Sequence, residues 1–339
     1  MSPAPSGRGR GKSSRTPAKK GGARGGPSPK GTEAKSAWMK SKDAKAGRGT
    51  ARGAGTVRAG SAGRSPVNDR GRGPGGRDVQ VRRGPKHEGL GGDQVEGRQA
   101  VRELLSAGRR PVTTLLMAEG MDAAEILDDI EALAVKRRVK VEYVSRKRID
   151  AAARTDGSQG VVALARPIGD TPLDDLCQPT KRGRLPFLLV LDGITDPHNL
   201  GAVLRSAECA GVTGVVLPRH RSAHLSPTVA KVAAGAIEYL PMALVAGVPT
   251  ALQQLSSLGT VTVGLVGEAP TSLYQLPLGD QPVALVLGSE GSGLAALTRR
   301  RCDELASIPQ HGTLSSLNVA TAGAIACFDV ARQRTAAGN

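Results

Sequence analysis

The sequence predicts an α/β protein whose carboxyl-terminal domain holds a mostly parallel sheet, preceded by a small α/β domain and a disordered basic tail. Two observations carry this. Beyond about residue 90 of the 339, short apolar runs alternate with helix-spaced segments, the pattern of parallel strands covered on both faces. Before that point the composition is different in kind. Residues 1–90 hold 22 Lys and Arg against 5 Asp and Glu, with 20 of the 45 glycines and one aromatic residue, Trp38. Such a stretch buries too little apolar surface to offset its ordering entropy, so 1–91 is expected to be disordered. The formal net charge of +17 lies wholly in this tail, because the remainder carries 25 basic and 25 acidic residues.

The first ordered domain is expected over 92–167. Val95, Val101, Leu104 and Leu105 follow helical spacing, and Val112–Met117 reads as a strand. Ile126, Ile130 and Leu133 recur at helix intervals within Ala123–Arg137, and Val139–Val144 reads as a second strand. A short helix around Arg146–Ala153 and the apolar strand Val161–Ala165 complete the unit. Residues 168–185, with two prolines, two glycines and mixed charge, read as a linker.

The second domain is expected over 186–335. Its candidate strands are Phe187–Leu191, Val212–Leu217, Ile237–Leu244, Thr260–Val266, Pro282–Leu287 and Leu305–Ile308. Helical patterns lie between them: Leu200–Ala210, Pro227–Ala236 with Ser226 as cap and proline in the first turn, Thr250–Leu258 and Leu294–Cys302. Leu317–Gln333 closes the chain as a helix. Open parallel sheets bind ligands beyond the carboxyl ends of their strands, so attention falls on the loops after Leu191, Leu287 and Ile308.

Those loops are rich in glycine and polar residues. The first, Asp192-Gly-Ile-Thr-Asp-Pro-His-Asn199, offers Asn199 as a helix cap, with Arg205 six residues on inside the helix. The second, Leu287-Gly-Ser-Glu290-Gly-Ser-Gly293, has glycines that let a backbone approach a ligand closely at a strand-to-helix turn. Its spacing is neither a dinucleotide fingerprint nor a phosphate loop. The third runs Ile308-Pro-Gln-His-Gly312-Thr-Leu-Ser315-Ser316-Leu-Asn318 into the last helix. Each loop has an ordinary explanation on its own, as a tight turn or a helix cap.

Several function classes find no support. No run of about 18 apolar residues spans a membrane. His220 and His224 have the spacing of a metal pair but lack an intervening Glu and a third ligand, so no metal is expected. A serine hydrolase elbow is absent. Six aromatics in the whole chain are too few for a base-stacking RNA platform. The scattered Cys177, Cys209, Cys302 and Cys327 read as buried thiols of a reducing compartment, hence a cytoplasmic protein.

Taken together, the three loops resemble the three motifs of the SpoU (TrmH-type) RNA 2′-O-ribose methyltransferases, a branch of the SPOUT superfamily. Asn199-Leu-Gly-Ala-Val-Leu-Arg205-Ser-Ala resembles the first motif. Leu287-Gly-Ser-Glu290-Gly-Ser-Gly-Leu resembles the second, and Ile308-Pro with Gly312-Thr-Leu-Ser-Ser-Leu-Asn318-Val the third. Upstream, Val95-Glu-Gly-Arg-Gln-Ala-Val and Ser158-Gln-Gly-Val-Val resemble the ends of the family's substrate-binding domain, itself similar to ribosomal protein L30e. Leu191-Asp-Gly-Ile-Thr-Asp-Pro-His-Asn and Arg221-Ser-Ala-His are most similar to the branch that modifies a guanosine of 23S rRNA. Gln310 and Ala320 stand where the family often has Met and Ser.

The resemblance implies a deep trefoil knot in the carboxyl-terminal sheet, where periodicity alone suggests an open Rossmann-like sheet. It implies a homodimer with the active site near the subunit interface, S-adenosylmethionine as cofactor and RNA, most of all rRNA, as substrate. Gly288, Ile308 and Leu317 would hold the cofactor, largely through backbone groups. Arg205 would be the key catalytic residue, with Asn199, Glu290, Ser316 and Asn318 around it. A guanidinium stays protonated at neutral pH, so Arg205 is better suited to clamp a phosphate and stabilise charge than to remove a proton. Glu290 would orient Arg205 or accept the proton. A tRNA ribose methyltransferase and a catalytically inactive RNA-binding or ribosome-assembly protein are the alternatives.

Overall fold

In the computed structural model, residues 89–338 are described, apart from 221 and 315. The expectation of a disordered tail over 1–91 lies outside the described residues up to 88, and its end is corrected, because Leu90 is buried and Gly91 pairs with Leu225.

The first sheet has four strands, β1 (Gln94–Glu96), β2 (Val112–Ala118), β3 (Val141–Val144) and β4 (Val161–Ala165), in the order β1-β4-β2-β3. β4 runs antiparallel to β1 and β2, while β2 and β3 are parallel. Three helices connect them: α1 (Arg98–Ala107), α2 (Glu125–Arg137) and α3 (Arg146–Ala152). Val95, read from its spacing as helical, lies instead in β1 opposite Ala163. Gly97, with φ of 93°, turns the chain from that short strand into α1. The buried Glu96 carboxylate next to it accepts from the Gln94 amide and from the backbone N–H of Arg154 and Thr155. It thereby ties β1 to the loop before β4, and the hydrogen bonds make its burial tolerable.

The second sheet has six strands: β5 (Phe187–Asp192), β6 (Gly214–Pro218), β7 (Met242–Val245), β8 (Val261–Leu265), β9 (Val283–Gly288) and β10 (Glu304–Ala306). Their order is β10-β8-β9-β5-β6-β7, and every neighbouring pair is parallel. The central pair, β5 and β9, is apolar at nearly every position because both faces are covered. Successive side chains alternate between faces. Phe187, Leu189, Leu191, Leu285 and Leu287 join Leu200, Leu204, Ala326 and Val330 of α5 (Pro197–Cys209) and α9 (Val319–Ala337). Leu188, Val190, Ala284 and Val286 join Leu252 and Leu255 of α7 (Val248–Ser257), together with Leu173 and Leu176 of α4 (Leu173–Leu176). Two shorter helices, α6 (Pro227–Val232) and α8 (Ala296–Arg301), complete the set.

Four further expectations are corrected. The segment read as a linker contains α4, whose two leucines are buried under the sheet. The strand expected over Ile237–Leu244 starts only at Met242, after a 3-10 turn at Ala236–Glu238, and Glu238 is drawn inward by an arginine from the first sheet. The last strand ends at Ala306, so Ile308 leaves the sheet. The first-motif helix begins at Pro197 rather than Leu200, and its cap is Asp196, not Asn199. Asp196 accepts from the N–H groups of His198 and Asn199, and a proline in the first turn loses nothing because its missing N–H would be unpaired there. Ser226 caps α6 as its sequence indicates.

The two sheets are joined by polar contacts, of which one pair is buried. Arg110, before β2, makes a paired hydrogen bond to Glu238 at 2.6 and 2.8 Å, and both side chains are nearly inaccessible to water. Tyr239 donates to Glu103 at 2.7 Å, Lys231 donates to the Asp156 carbonyl at 2.7 Å, and Gly91 bridges Leu225 in backbone register.

Candidate active site

The register of the central strands sets Asp192 of β5 directly beside Gly288 of β9. The loops that leave these two strands, and the loop after β10, therefore open at one edge of the sheet. After Gly288 the chain doubles back through a tight turn in which Ser289 and Gly293 exchange backbone hydrogen bonds at 3.0 Å. Gly291 and Gly293 adopt φ of 79° and 65°, values that L side chains rarely take.

Gly288 is required for a different reason than its sequence context suggests. A Cβ there would collide with the backbone of Gly293 and Leu294 within the same turn. The glycine is demanded by the protein itself, before any ligand is considered. It still lines the cavity behind the turn.

That cavity holds about 520 Å³. Its apolar wall includes Leu265, Leu287, Ile308, Leu317, Val319 and Ala322, and Gly288, Ser316 and Asn318 add backbone and polar groups. No hydrogen bond within the described residues occupies the amide N–H of Ile308 or Leu317, so two donors stand at the cavity wall ready for a ligand.

Beside the cavity the three loops meet in one hydrogen-bonded cluster. Asn199 donates its side-chain amide to Glu290 Oε1. Asn318 donates to the same Oε1 at 3.1 Å and to Asn199 Oδ1 at 3.0 Å. Asn318 also caps α9 by accepting from the N–H groups of Ala320 and Thr321. One side chain thus starts the closing helix and orients the carboxylate. The second carboxylate oxygen, Glu290 Oε2, takes no hydrogen bond within the described residues.

Of the residues singled out from sequence, Asn199, Glu290 and Asn318 are in contact, and Gly288, Ile308, Leu317 and Ser316 line the cavity. Arg205 stands apart. It lies exposed on α5, about 9 Å of helix rise beyond Asn199 and turned to another side, without hydrogen bond or ion pair among the described residues. Sequence reasoning missed the loop after β8, where Leu265–Glu268 line the cavity, and the cap Asp196. The strand-end rule that found the other three loops would have found the β8 loop too.

The thiols do not share one environment. Cys327 is buried, Cys177 and Cys302 are half-buried, and Cys209 is exposed at the end of α5, against the expectation of four buried thiols. Burial pushes the Cys302 and Cys327 thiols up to about 12, so neither is a nucleophile at neutral pH. Among the described residues no group of His, Cys, Asp and Glu is arranged to hold a metal, and no helix is long and apolar enough to cross a membrane.

Comparison with known proteins points to one group. Residues 186–328 match the model of the SpoU rRNA Methylase family, and residues 94–169 match the RNA 2′-O ribose methyltransferase substrate-binding model. A 23S rRNA (guanosine-2′-O-)-methyltransferase RlmB from Pseudomonas putida is 40% identical over 246 residues, covering 71% of this chain and 97% of that protein. The Pseudomonas aeruginosa protein of the same name is 42% identical, covering 72% and 97%. An AdoMet-bound rRNA methyltransferase structure from Sinorhizobium meliloti aligns with a TM-score of 0.59 at 27% identity, over 70% of this chain and 86% of that one.

Proposed function

The chain belongs to the SpoU rRNA methylase family, and on that premise we propose that it methylates the ribose 2′-hydroxyl of a guanosine in 23S rRNA, with S-adenosylmethionine as methyl donor. The observation that carries this reading is the convergence of three distant loops on one cavity and one carboxylate, Glu290, held by Asn199 and Asn318.

The cavity fits the cofactor. Its apolar wall suits an adenine ring, and the free amides of Ile308 and Leu317 suit hydrogen-bond acceptors on that ring or on the ribose. Gly288, Ile308 and Leu317 are the proposed cofactor-binding residues. The bound cofactor supplies a methyl group made electrophilic by the adjoining sulfonium.

The chain's residues have then to place the hydroxyl in line and take its proton. Glu290 is oriented through Oε1 by two amides, which leaves Oε2 to accept a hydrogen bond from the ribose hydroxyl and receive its proton as the new O–C bond forms. Asn199 and Asn318 fix the carboxylate, and Ser316 at the cavity wall adds a further polar group near the acceptor. Arg205, a cation without a partner in the described residues, suits the phosphate of the target nucleotide and offsets charge that develops on the ribose oxygen.

The same reading extends to assembly and topology. A trefoil knot is supported by the path of the chain, which runs from β9, between β8 and β5, outward to β10 before α9 returns to pack on α5 and β9. A homodimer is supported by the exposed apolar side chains of Phe328 on α9, of Leu314 in the loop before it and of Leu317 at the cavity. The domain at 92–167 would bind the RNA, the tail at 1–91 would add unspecific phosphate contacts, and rRNA as substrate suits a cytoplasmic location. Mapping ribose methylation in 23S rRNA and tRNA from cells with and without the gene tests the reading. One 2′-O-methylguanosine of 23S rRNA should disappear, and a loss confined to tRNA would contradict it.

A further inference from the structure

A second cavity lies across the glycine turn from the first. It holds about 1170 Å³ and opens where β5, β6 and β7 end, between Asp192, Pro218 and the 246–249 segment. Ser289, Ser292, Gly293, Leu294 and Arg299 line both cavities, so the turn carrying Glu290 is the partition between them. Nothing in the cofactor reading uses this space.

Its lining includes one acidic side chain, Asp192, and two side chains that can carry positive charge, His220 and Arg299. Asp192 Oδ2 accepts from the N–H of Ala295 at 3.2 Å, and Oδ1 has no partner within the described residues. Arg299 and His220 are exposed and likewise unpartnered. The Thr298 hydroxyl behind the same wall is buried without a hydrogen bond among the described residues. Asp192 sits one strand spacing from Gly288, about 4.8 Å, and Glu290 follows Gly288 by two residues. The turn that carries Glu290 thus starts directly beside Asp192.

We propose that this second cavity receives the flipped-out base of the target nucleotide and that Asp192 is the residue that selects guanine. The inference rests on the function proposed above. Guanine presents two adjacent donors, N1–H and the N2 amino group, which a carboxylate accepts together. Adenine and cytosine each present a ring acceptor at that edge, which would face the carboxylate oxygens unpaired. Arg299 complements the same base by donating toward O6 and N7, the bidentate pairing of arginine with guanine. A cavity larger than one base leaves room for the neighbouring nucleotide, consistent with removal of the target from its stack.

The test pairs a base change with a side-chain change in the full chain. Once the methylated guanosine is mapped, short RNAs are made with guanosine or with inosine, which lacks only the N2 amino group, at that position. The intact protein should methylate the guanosine RNA roughly tenfold or more faster in kcat/KM than the inosine RNA. Asp192→Asn keeps an oxygen for the Ala295 N–H but replaces the other acceptor with a donor. It should reduce that ratio to near one and leave S-adenosylmethionine affinity unchanged. A ratio preserved in Asp192→Asn, or no preference in the intact protein, overturns the assignment of Asp192. Absence of methyl transfer by the intact protein to any RNA would instead overturn the function on which it rests.

Discussion

Asn318 illustrates how closely fold and site are linked at the level of single residues. Its Oδ1 caps α9, and its Nδ2 binds both Asn199 and Glu290, so the helix start and the carboxylate share one anchor. Arg205 is the opposite case, because its side chain supports nothing in the described structure. Arg205→Ala should therefore leave thermal stability and S-adenosylmethionine affinity unchanged, since alanine is a good helix former at an exposed position. Methyl transfer in single turnover should fall by roughly 100-fold or more, the usual consequence of removing a charge-stabilising donor. Near-normal transfer would remove Arg205 from the reaction. The motif residues were legible in the sequence because three spaced matches are specific, but their contacts were not. Asn199 reads as a cap, and only the intervening Asp196-Pro197 pair shifts the helix start upstream and frees its side chain for Glu290.

At the level of elements, what could be read depended on burial. β5 and β9 announce themselves as apolar runs because helices cover both their faces, whereas the three-residue β1 carries too little pattern to separate strand from helix. The turn at Ala236–Glu238 was hidden within an apolar run, because the left-handed Gly235 starts it and its own backbone hydrogen bonds close it, while a distant arginine holds the Glu238 side chain. The glycine turn after β9 gave the right residues for an incomplete reason. Gly288→Ala would press a methyl group into the backbone of Gly293 and Leu294, so the turn would have to move. We expect a loss of about 1–3 kcal/mol of stability together with loss of cofactor binding. Thermal melting with and without S-adenosylmethionine checks both at once. An unchanged melting temperature with the usual ligand-induced rise would show that the turn has room there.

At the scale of the whole molecule, the first and second sheets are held by the Arg110–Glu238 pair, whose side chains are 8% and 2% exposed. Removing one partner strands a buried charge, so Arg110→Ala should cost about 3–5 kcal/mol in chemical denaturation. Replacing both, with Arg110→Met and Glu238→Leu, should recover most of that loss, because an apolar pair carries no desolvation penalty. A double variant no more stable than the single one would show that Arg110 acts through its carbonyl contacts to Gly92 and Arg166 instead. The most direct measurement incubates the purified full-length chain with 23S rRNA and isotopically labelled S-adenosylmethionine, then digests the RNA to nucleosides for mass spectrometry. The label should appear in 2′-O-methylguanosine alone, at one site per rRNA. Label on a base, on another nucleoside or on none would contradict the account.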